Sequence, residues 1–203
     1  MARKLTSQKR ADLIAAATEV FKKKGFRDAS VKDIVAEAGA STATFYRYFH
    51  TKDDIYEEIV TGFLMGFAAI WRQIYEGLSE PDLTSEQIFD GMAEAFRTIL
   101  GFYRYNRDVA KVVFRRLVPV DEKFAEQGEM IVDAVVAQLS EILVKARQAG
   151  IARNVEPEVA ASITIGGVFG AAMECVVEGE RDDVDTLVGE FMEIVRHGLS
   201  RQA

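Results

Sequence analysis

Apolar residues recur along this chain at intervals of three and four, and the alternation typical of strands is nearly absent. In the first such stretch, Leu13, Ala17, Val20 and Phe21 fall on one helical face. This spacing is the pattern of amphipathic helices. The three prolines all lie beyond residue 80, so no proline interrupts the pattern before that point. We predict an all-α chain of about nine helices.

Charge is distributed unevenly along the 203 residues, whose formal net charge is −7. Residues 1–53 hold eleven Lys and Arg against six Asp and Glu, whereas residues 54–203 hold fourteen against twenty-six. An acidic total argues against a nucleic-acid partner, but a basic segment joined to an acidic one is a cue for such a partner. We predict a DNA-binding domain over 1–53 and a larger helical domain over 54–203.

Several classes of function find no support in the composition. The single cysteine, Cys175, excludes an internal disulfide, and with only His50 and His197 beside it no zinc cluster of the usual kind is expected. We find neither a glycine-rich phosphate loop nor a nucleophile motif. We therefore predict no catalytic residues, no metal, no cofactor and no enzymatic activity. The basic start lacks a following apolar run, which favours a cytoplasmic protein over a secreted one.

One segment is nearly long and apolar enough to span a membrane. Between Val159 and Val177 the only charged residue is Glu174. Glycine, serine and threonine lie within the segment, and acidic residues flank both of its ends. We interpret it as a core or interface helix, with no membrane partner.

Residues 30–49 have the pattern of a helix, a glycine-containing turn and a second helix. Ser30 and Ser41 are good N-caps, and Gly39 can adopt the positive φ that a tight turn requires. This is the form of a helix-turn-helix, whose second helix enters the major groove. The form alone is weak support, but the second helix is rich in hydrogen-bonding side chains and is followed by His50 and Lys52.

The stretch GFRDASVKDIVAEAGASTATFYRYFHTKDDIYEEIV resembles the DNA-binding region of the TetR family of transcriptional regulators. The resemblance covers about the first 60 residues, with matches at Gly25, Ile34, Gly39, Phe45 and Phe49 among others. It implies an N-terminal three-helix DNA-binding domain followed by a larger helical effector-binding and dimerisation domain. It also implies a homodimer that binds double-stranded DNA at a palindromic operator, usually as a repressor.

The resemblance also implies roles for individual residues. Ser30, Lys32, Tyr46 and Lys52 would contact phosphates, the last at a helix N-terminus whose dipole favours an anion. A separate group, Arg3, Lys4, Lys9 and Arg10, is either a basic arm along the DNA or a solvated tail.

Base reading would fall to the second helix of the motif. Thr42, Thr44 and Tyr48 would face base edges or nearby phosphates, and Arg47 has the fork that matches guanine. Packing of aromatic rings inside the small domain is the alternative reading for Tyr46 and Tyr48.

For the larger domain, the resemblance implies dimerisation through the last two helices. Small residues on the helix after Val159 would let a second copy approach closely, and we predict an interface at Gly166, Gly170, Met173 and Val177. It also implies a pocket for a small apolar or amphipathic effector of unknown identity. The aromatic residues predicted to line it are Phe67, Trp71, Phe96, Tyr103, Phe114 and Phe169.

The expected mechanism is a population shift, in which the effector favours a dimer geometry that no longer fits DNA. The alternative is a TetR-like DNA-binding protein controlled by a protein partner instead of a small ligand.

Overall fold

A computed structural model of the chain describes residues 2–80, 83–117 and 122–199. Within these ranges it contains nine α-helices, which confirms the all-α prediction. Their bounds are α1 Ala2–Lys24, α2 Val31–Glu37, α3 Thr42–Tyr48, α4 Lys52–Leu78, α5 Ser85–Tyr105, α6 Arg107–Leu117, α7 Glu122–Gln148, α8 Pro157–Gly170 and α9 Val184–Leu199. A π-helical segment, Ala171–Glu178, continues α8.

The chain divides into two compact units, and the division differs from the predicted boundary at residues 53 and 54. The first unit contains α1 to α3, α4 as far as Met65, and α6; the second contains α4 from Gly66, α5, most of α7, α8 and α9. The predicted boundary falls inside α4, because the change in net charge does not coincide with the end of a helix. Tyr56 and Val60 of α4 and Val113 of α6 are fully buried in the first unit.

The first unit has a core of aliphatic and aromatic side chains from each of its helices. Leu13 of α1, Ile34 of α2 and Phe45 of α3 are almost completely buried. Phe21, Phe26 and Tyr56 form a triangle of rings with centroids 5.0 to 6.0 Å apart. Rings in this arrangement add to stability beyond the apolar area that they bury. The short helix α2 packs against α1, and α3 packs against α2.

The second unit is built from longer helices, with α5 packed against α9 and against the π-helical segment. Leu100 of α5 and Val176 of the π-helical segment are fully buried, and Val188 of α9 is almost fully buried. By length and composition alone, Pro157–Glu178 could cross a membrane, with a mean hydropathy of 1.7 in its most apolar window. Only 28% of that window is buried inside the protein, so much of this helix presents apolar surface.

Candidate nucleic-acid interface and ligand pocket

The turn between α2 and α3 is closed by two backbone hydrogen bonds. The Ala40 N–H donates to the Val35 carbonyl at 2.8 Å, and the Gly39 N–H donates to the Ala36 carbonyl at 3.3 Å. This pair of bonds is a Schellman motif, which places a residue in the left-handed region directly after the helix. Gly39 occupies that position with φ +57°. The glycine expected from the sequence thus fixes the angle between the two helices of the motif.

Helix α3 is held at its start and along its inner face. The Ser41 hydroxyl accepts a hydrogen bond from the Thr44 N–H at 3.1 Å and also bonds the Thr44 hydroxyl at 2.9 Å. Phe45 is completely buried and Phe49 nearly so, with ring centroids 5.7 Å apart. A helix of seven residues is too short to be stable alone in water. Its cap and its two buried rings therefore provide the support that α3 needs.

The outer face of α3 carries most of the residues predicted to read DNA. Thr42, Tyr46 and Arg47 are exposed, whereas Thr44 and Tyr48 are half-buried. Tyr46 is 54% exposed although its ring lies edge-on to Phe45 at 5.5 Å. The Tyr46 ring therefore packs against Phe45 on one side, while about half of the side chain remains exposed to solvent. The face presents hydroxyl and guanidinium groups to solvent.

The cations of the first unit fall into two groups. Lys22, Lys23 and Lys24 at the end of α1 all form ion pairs with carboxylates of the same unit. Among the described side chains, no carboxylate lies within ion-pair distance of Lys32 at the start of α2 or of Arg47 on α3, and both are exposed. Lys32 and Arg47 thus offer positive charge to an anionic partner on the helix-turn-helix.

The predicted basic arm is only partly within the described structure. Arg10 forms a two-pronged ion pair with Glu58, and its guanidinium lies 5.1 Å from the centre of the Phe49 ring. Arg10 therefore ties α1 to α3 and α4, and Lys9 beside it is exposed. The side chains of Arg3 and Lys4 lie outside the described residues.

Ser30, a predicted phosphate contact, has a role inside the protein. Its hydroxyl accepts from the Asp33 N–H at 3.3 Å, and its backbone N–H donates to the Asp33 carboxylate at 3.0 Å, which together form a capping box on α2. The hydroxyl also donates to the same carboxylate at 2.8 Å. The Lys24 ammonium 2.7 Å from the same carboxylate, together with the bonds from Ser30, lowers the pKa of Asp33 to about 2. The single hydroxyl proton of Ser30 is therefore already engaged.

Lys52 differs most from its predicted role. Its ammonium donates to the carbonyl oxygens of Phe26 at 2.7 Å, Ala29 at 2.8 Å and Arg27 at 3.1 Å. It also lies 4.5 Å from the centre of the Phe26 ring. An ammonium has three N–H donors, and three acceptors surround this one. Lys52 was expected to face phosphate, but it faces the loop between α1 and α2.

The second unit encloses an apolar cavity of about 40 Å³. Only carbon-rich side chains and one threonine, Thr164, border it. Its walls come from α4, α5, α7, α8 and α9, with Trp71, Met92, Phe96, Phe191 and Met192 among the larger side chains. In the part of the chain that the structure describes, no group of three or more His, Cys, Asp or Glu side chains could hold a metal ion.

Two of the six predicted pocket residues, Trp71 and Phe96, line the cavity. The Trp71 indole N–H also donates to Gln138 at 2.6 Å. Phe67 and Tyr103 instead pack on one another, with centroids 6.4 Å apart, and burial raises the pKa of the Tyr103 phenol above its ordinary value. Phe169 is 43% exposed and is not part of the cavity wall.

Phe114 belongs to the other unit, where its ring lies edge-on to Phe63 at 5.9 Å. Its helix, α6, packs against α1, so Phe114 is not a cavity residue. The sequence analysis missed Phe191, whose ring lies 4.4 Å from that of Phe96. Gly167 of α8 leaves room for the Phe191 ring, since a Cβ there would lie only 3.0 Å from it, but this contact is visible only in the folded chain.

An apolar stripe runs along the exposed side of α8. Val159 is 55% exposed and Ile163 is 70% exposed, and Gly166 and Gly170 follow at helical spacing. Ile194 on α9 is 71% exposed. We call these five residues the α8–α9 stripe. Exposed apolar side chains that share one helix face, as Val159 and Ile163 do on α8, are candidates for an interaction site.

Two of the predicted interface residues lie elsewhere than in this stripe. Val177 is completely buried within the second unit, so its side chain has no surface to offer to a second copy. The π-helical segment turns it inward beside Val176, a change of helical geometry that uniform α-helical spacing does not anticipate. Met173 is half-buried.

The helix-turn-helix is also the part of the chain that matches a known protein family. Residues 13–59 match the family model described as bacterial regulatory proteins, tetR family. That segment runs from the core of α1 through the helix-turn-helix into α4. Over this segment the chain is similar to TetR-family transcriptional regulators, and the match includes the whole helix-turn-helix.

Relatives and solved structures extend the likeness. The uncharacterized HTH-type transcriptional regulator YdgC of Bacillus subtilis is 31% identical over 53% of each chain, so this chain spans about half the length of that curated relative. A tetR-family bacterial regulatory protein from Rhodococcus RHA1 has the same fold over 96% of this chain and 98% of its own, with a TM-score of 0.74 and 19% identity. The FadR transcriptional regulator of Bacillus subtilis, solved with stearoyl-CoA, has the same fold over 91% of this chain and 96% of its own, with a TM-score of 0.68 and 20% identity.

Proposed function

We propose that this protein is a sequence-specific transcriptional repressor that binds a palindromic operator as a homodimer and is released by a small apolar or amphipathic ligand. The observation that carries the proposal is the outer face of α3. There Thr42, Tyr46 and Arg47 stand exposed on a helix that is capped and held by buried rings. Such a helix fits the major groove, where side chains read base edges.

Each part of the motif has a distinct task in this proposal. Arg47 reads guanine through its planar fork, and Thr42 contacts base edges or a nearby phosphate. Tyr46 donates its hydroxyl to a phosphate. Lys32, which is exposed and has no carboxylate partner among the described residues, supplies a phosphate contact at the start of α2. Phosphate contacts make binding fall steeply as salt rises.

A homodimer would bring two such motifs to one DNA site. The α8–α9 stripe supports this arrangement, because its glycines allow close helix approach while Ile163 and Ile194 offer apolar area. A two-fold axis pairs the same surface on both copies. Two recognition helices related in this way read half-sites about one DNA turn apart. The expected operator is therefore an inverted repeat.

The cavity of the second unit is the proposed effector site. Its lining is almost wholly apolar, which favours a hydrocarbon chain or ring over a polar ligand. Its volume of about 40 Å³ is far below the roughly 300–1,000 Å³ of typical ligand pockets. A ligand must therefore stabilise an expanded state, for which the flexible side chains of Met92 and Met192 are suited. The relative solved with stearoyl-CoA suggests acyl compounds as the first ligands to test.

Selection from a random library of DNA duplexes tests the DNA-binding part. The purified protein is expected to enrich an inverted repeat, and binding to it is expected to weaken as salt rises. A variant with Arg47→Ala and Tyr46→Ala, which alters only exposed positions of α3, is the matched control and should enrich no repeat. Enrichment of no sequence by the wild-type protein would refute the proposal.

Trp71 is the one tryptophan of the chain and borders the cavity, so its fluorescence reports on ligand entry. Titration with stearoyl-CoA or stearate is expected to change the emission and to release the selected duplex over the same concentration range. Coenzyme A alone, which lacks the acyl chain, is the control and should do neither. Emission changes without DNA release would contradict the link between the cavity and DNA binding.

A further inference from the structure

Three backbone carbonyl groups of the loop that joins α1 to α2 bond to a single side chain. After Gly25, which ends α1 with φ +77°, the carbonyl oxygens of Phe26, Arg27 and Ala29 all accept hydrogen bonds from the Lys52 ammonium, at 2.7 to 3.1 Å. Lys52 lies more than twenty residues further along the chain, at the first position of α4. One cation therefore fixes the path of a whole loop.

The same ammonium is held from a second side by an aromatic ring. It lies 4.5 Å from the centre of Phe26, a distance at which a cation is attracted to the face of a ring. Phe26 in turn packs against Phe21 and Tyr56, which are both fully buried. The loop is thereby anchored to α1 and to α4 through the core of the first unit.

The N-terminus of α4 is already occupied by an anion from the protein. The Asp54 carboxylate accepts hydrogen bonds from the backbone N–H groups of His50 at 2.8 Å and Thr51 at 3.2 Å, and from the Thr51 hydroxyl at 2.7 Å. These bonds hold the pKa of Asp54 below its ordinary value, so the carboxylate is charged at neutral pH. A DNA phosphate at this helix end would meet a negative charge.

We infer that Lys52 is a positioning residue that holds the 26–29 loop, and with it the start of α2, and that it does not bind a DNA phosphate. The inference rests on the proposed DNA-binding function. The loop leads directly to Ser30, the N-cap of α2, and α2 carries Lys32 and the turn to α3. Lys52 therefore acts on DNA through the placement of other residues.

A phosphate contact by Lys52 would require the ammonium to leave its acceptors. Each carbonyl–ammonium bond is charge-assisted and stronger than a bond between neutral groups. Without the ammonium, three carbonyl oxygens would lose the partner that brings them together. A phosphate drawn to this place would face those oxygens and Asp54, all of which carry negative charge.

The salt dependence of DNA binding separates the two roles. Each phosphate contact contributes about 0.9 to the slope of log affinity against log salt. We expect Lys52→Met to weaken binding to the selected duplex about tenfold or more, equivalent to about 1.4 kcal/mol, with an unchanged slope. Lys32→Met, the matched control on an exposed lysine, is expected to lower the slope by about 0.9. A slope that falls by about 0.9 in Lys52→Met would overturn the inference.

The conservative variant provides a rescue. Lys52→Arg keeps charge and several N–H donors for the loop carbonyls, so it is expected to recover part of the Tm that Lys52→Met loses, and part of the affinity. Recovery of full affinity with no change of Tm in either variant would contradict a positioning role.

Lysine acetylation of the wild-type protein, read by mass spectrometry, gives an answer even where Lys52→Met does not fold. Lys52 is expected to react slowly both with and without the duplex, whereas Lys32 reacts quickly alone and slowly with DNA. Fast reaction of Lys52 in the free protein, followed by protection on DNA, would refute the inference. A wild-type protein that selects no duplex would instead refute the proposed function, with the slow reaction of Lys52 in the free protein unaffected.

Discussion

The rings of Phe96 and Phe191 lie 4.4 Å apart, centroid to centroid, and join α5 to α9 at the wall of the cavity. The approach of Phe191 to α8 depends on the absence of a side chain at Gly167, where a Cβ would lie 3.0 Å from the edge of the ring. Three helices thus meet at one aromatic contact. A single methyl group at position 167 would crowd it.

Gly167→Ala is expected to be less stable than Gly101→Ala. Replacement of glycine by alanine inside an open helix stabilises by roughly 0.5–1 kcal/mol. Gly101 on α5 has nothing within 4 Å of its added Cβ, so the full gain is expected there. At position 167 the added methyl group would crowd Phe191, and overpacking costs about 1–3 kcal/mol, which offsets the stabilisation gained by replacing glycine with alanine. Thermal unfolding measures the difference, and a Gly167→Ala protein that melts at or above Gly101→Ala would contradict the tight contact.

The capping box of α2 is expected to make stability depend on pH in acid. The pKa of Asp33 is about 2 in the folded protein against an ordinary 3.8, because Lys24 and Ser30 favour its charged form. A lowered carboxyl pKa stabilises the fold above the ordinary value, and this stabilisation is lost as pH falls through the folded value. The difference in Tm between wild type and Asp33→Asn should therefore shrink between about pH 4 and pH 2. Asp28→Asn, which removes an exposed carboxylate of the preceding loop, is the control, and the same pH dependence in both variants would contradict the role of the capping box.

Arg47 and Tyr46 are expected to contribute to DNA binding in different ways. Arg47→Ala should relax the preference for one base pair in each half-site, worth about 1–3 kcal/mol, because it removes a bidentate reader. Tyr46→Phe should weaken binding to all duplexes by the same factor, because a phosphate contact carries no sequence information. Competition with duplexes that differ at single positions measures both effects. Uniform weakening by Arg47→Ala would assign that side chain to the backbone instead.

The α8–α9 stripe is expected to hold the dimer together. Ile163→Glu places a charge on an apolar surface that a second copy would bury, so it should convert the protein to a monomer at micromolar concentration. Met130→Glu on α7 is the control, because Met130 is exposed to almost the same extent, 72% against 70%. Light scattering measures the mass of both variants. A dimeric Ile163→Glu protein would place the interface elsewhere.

Most of the local structure of the helix-turn-helix in the first unit could be predicted from residues close together in the sequence. Ser30, Ser41 and Gly39 act through residues within four positions of themselves, so their caps and turn could be predicted from neighbouring residues. The inward positions of Phe45 and Phe49 follow from helical spacing alone.

Long-range contacts could not be predicted in the same way. The acceptors of Lys52 lie on a loop that only the folded core brings to it, so a lysine at a helix start was assigned to phosphate. Phe114 was predicted to line the pocket from the family resemblance, but its helix α6 packs with α1 in the first unit. Val177 was placed on a surface that exists only if α8 continues as an α-helix. In each case the sequence did not show which distant part of the chain packs against the residue.

The small volume of the cavity, about 40 Å³, has a consequence for the ligand concentration at which the proposed regulator would respond. When only a fraction of molecules has an open pocket, the apparent dissociation constant of a ligand rises in inverse proportion to that fraction. Every 1.4 kcal/mol of opening cost raises the required concentration tenfold. Side chains such as Leu139 and Val168, which are buried at the cavity wall and remote in sequence from α3, would therefore set the sensitivity of the switch. The threshold for gene expression would be adjustable by repacking the interior, with the DNA-reading face left unchanged.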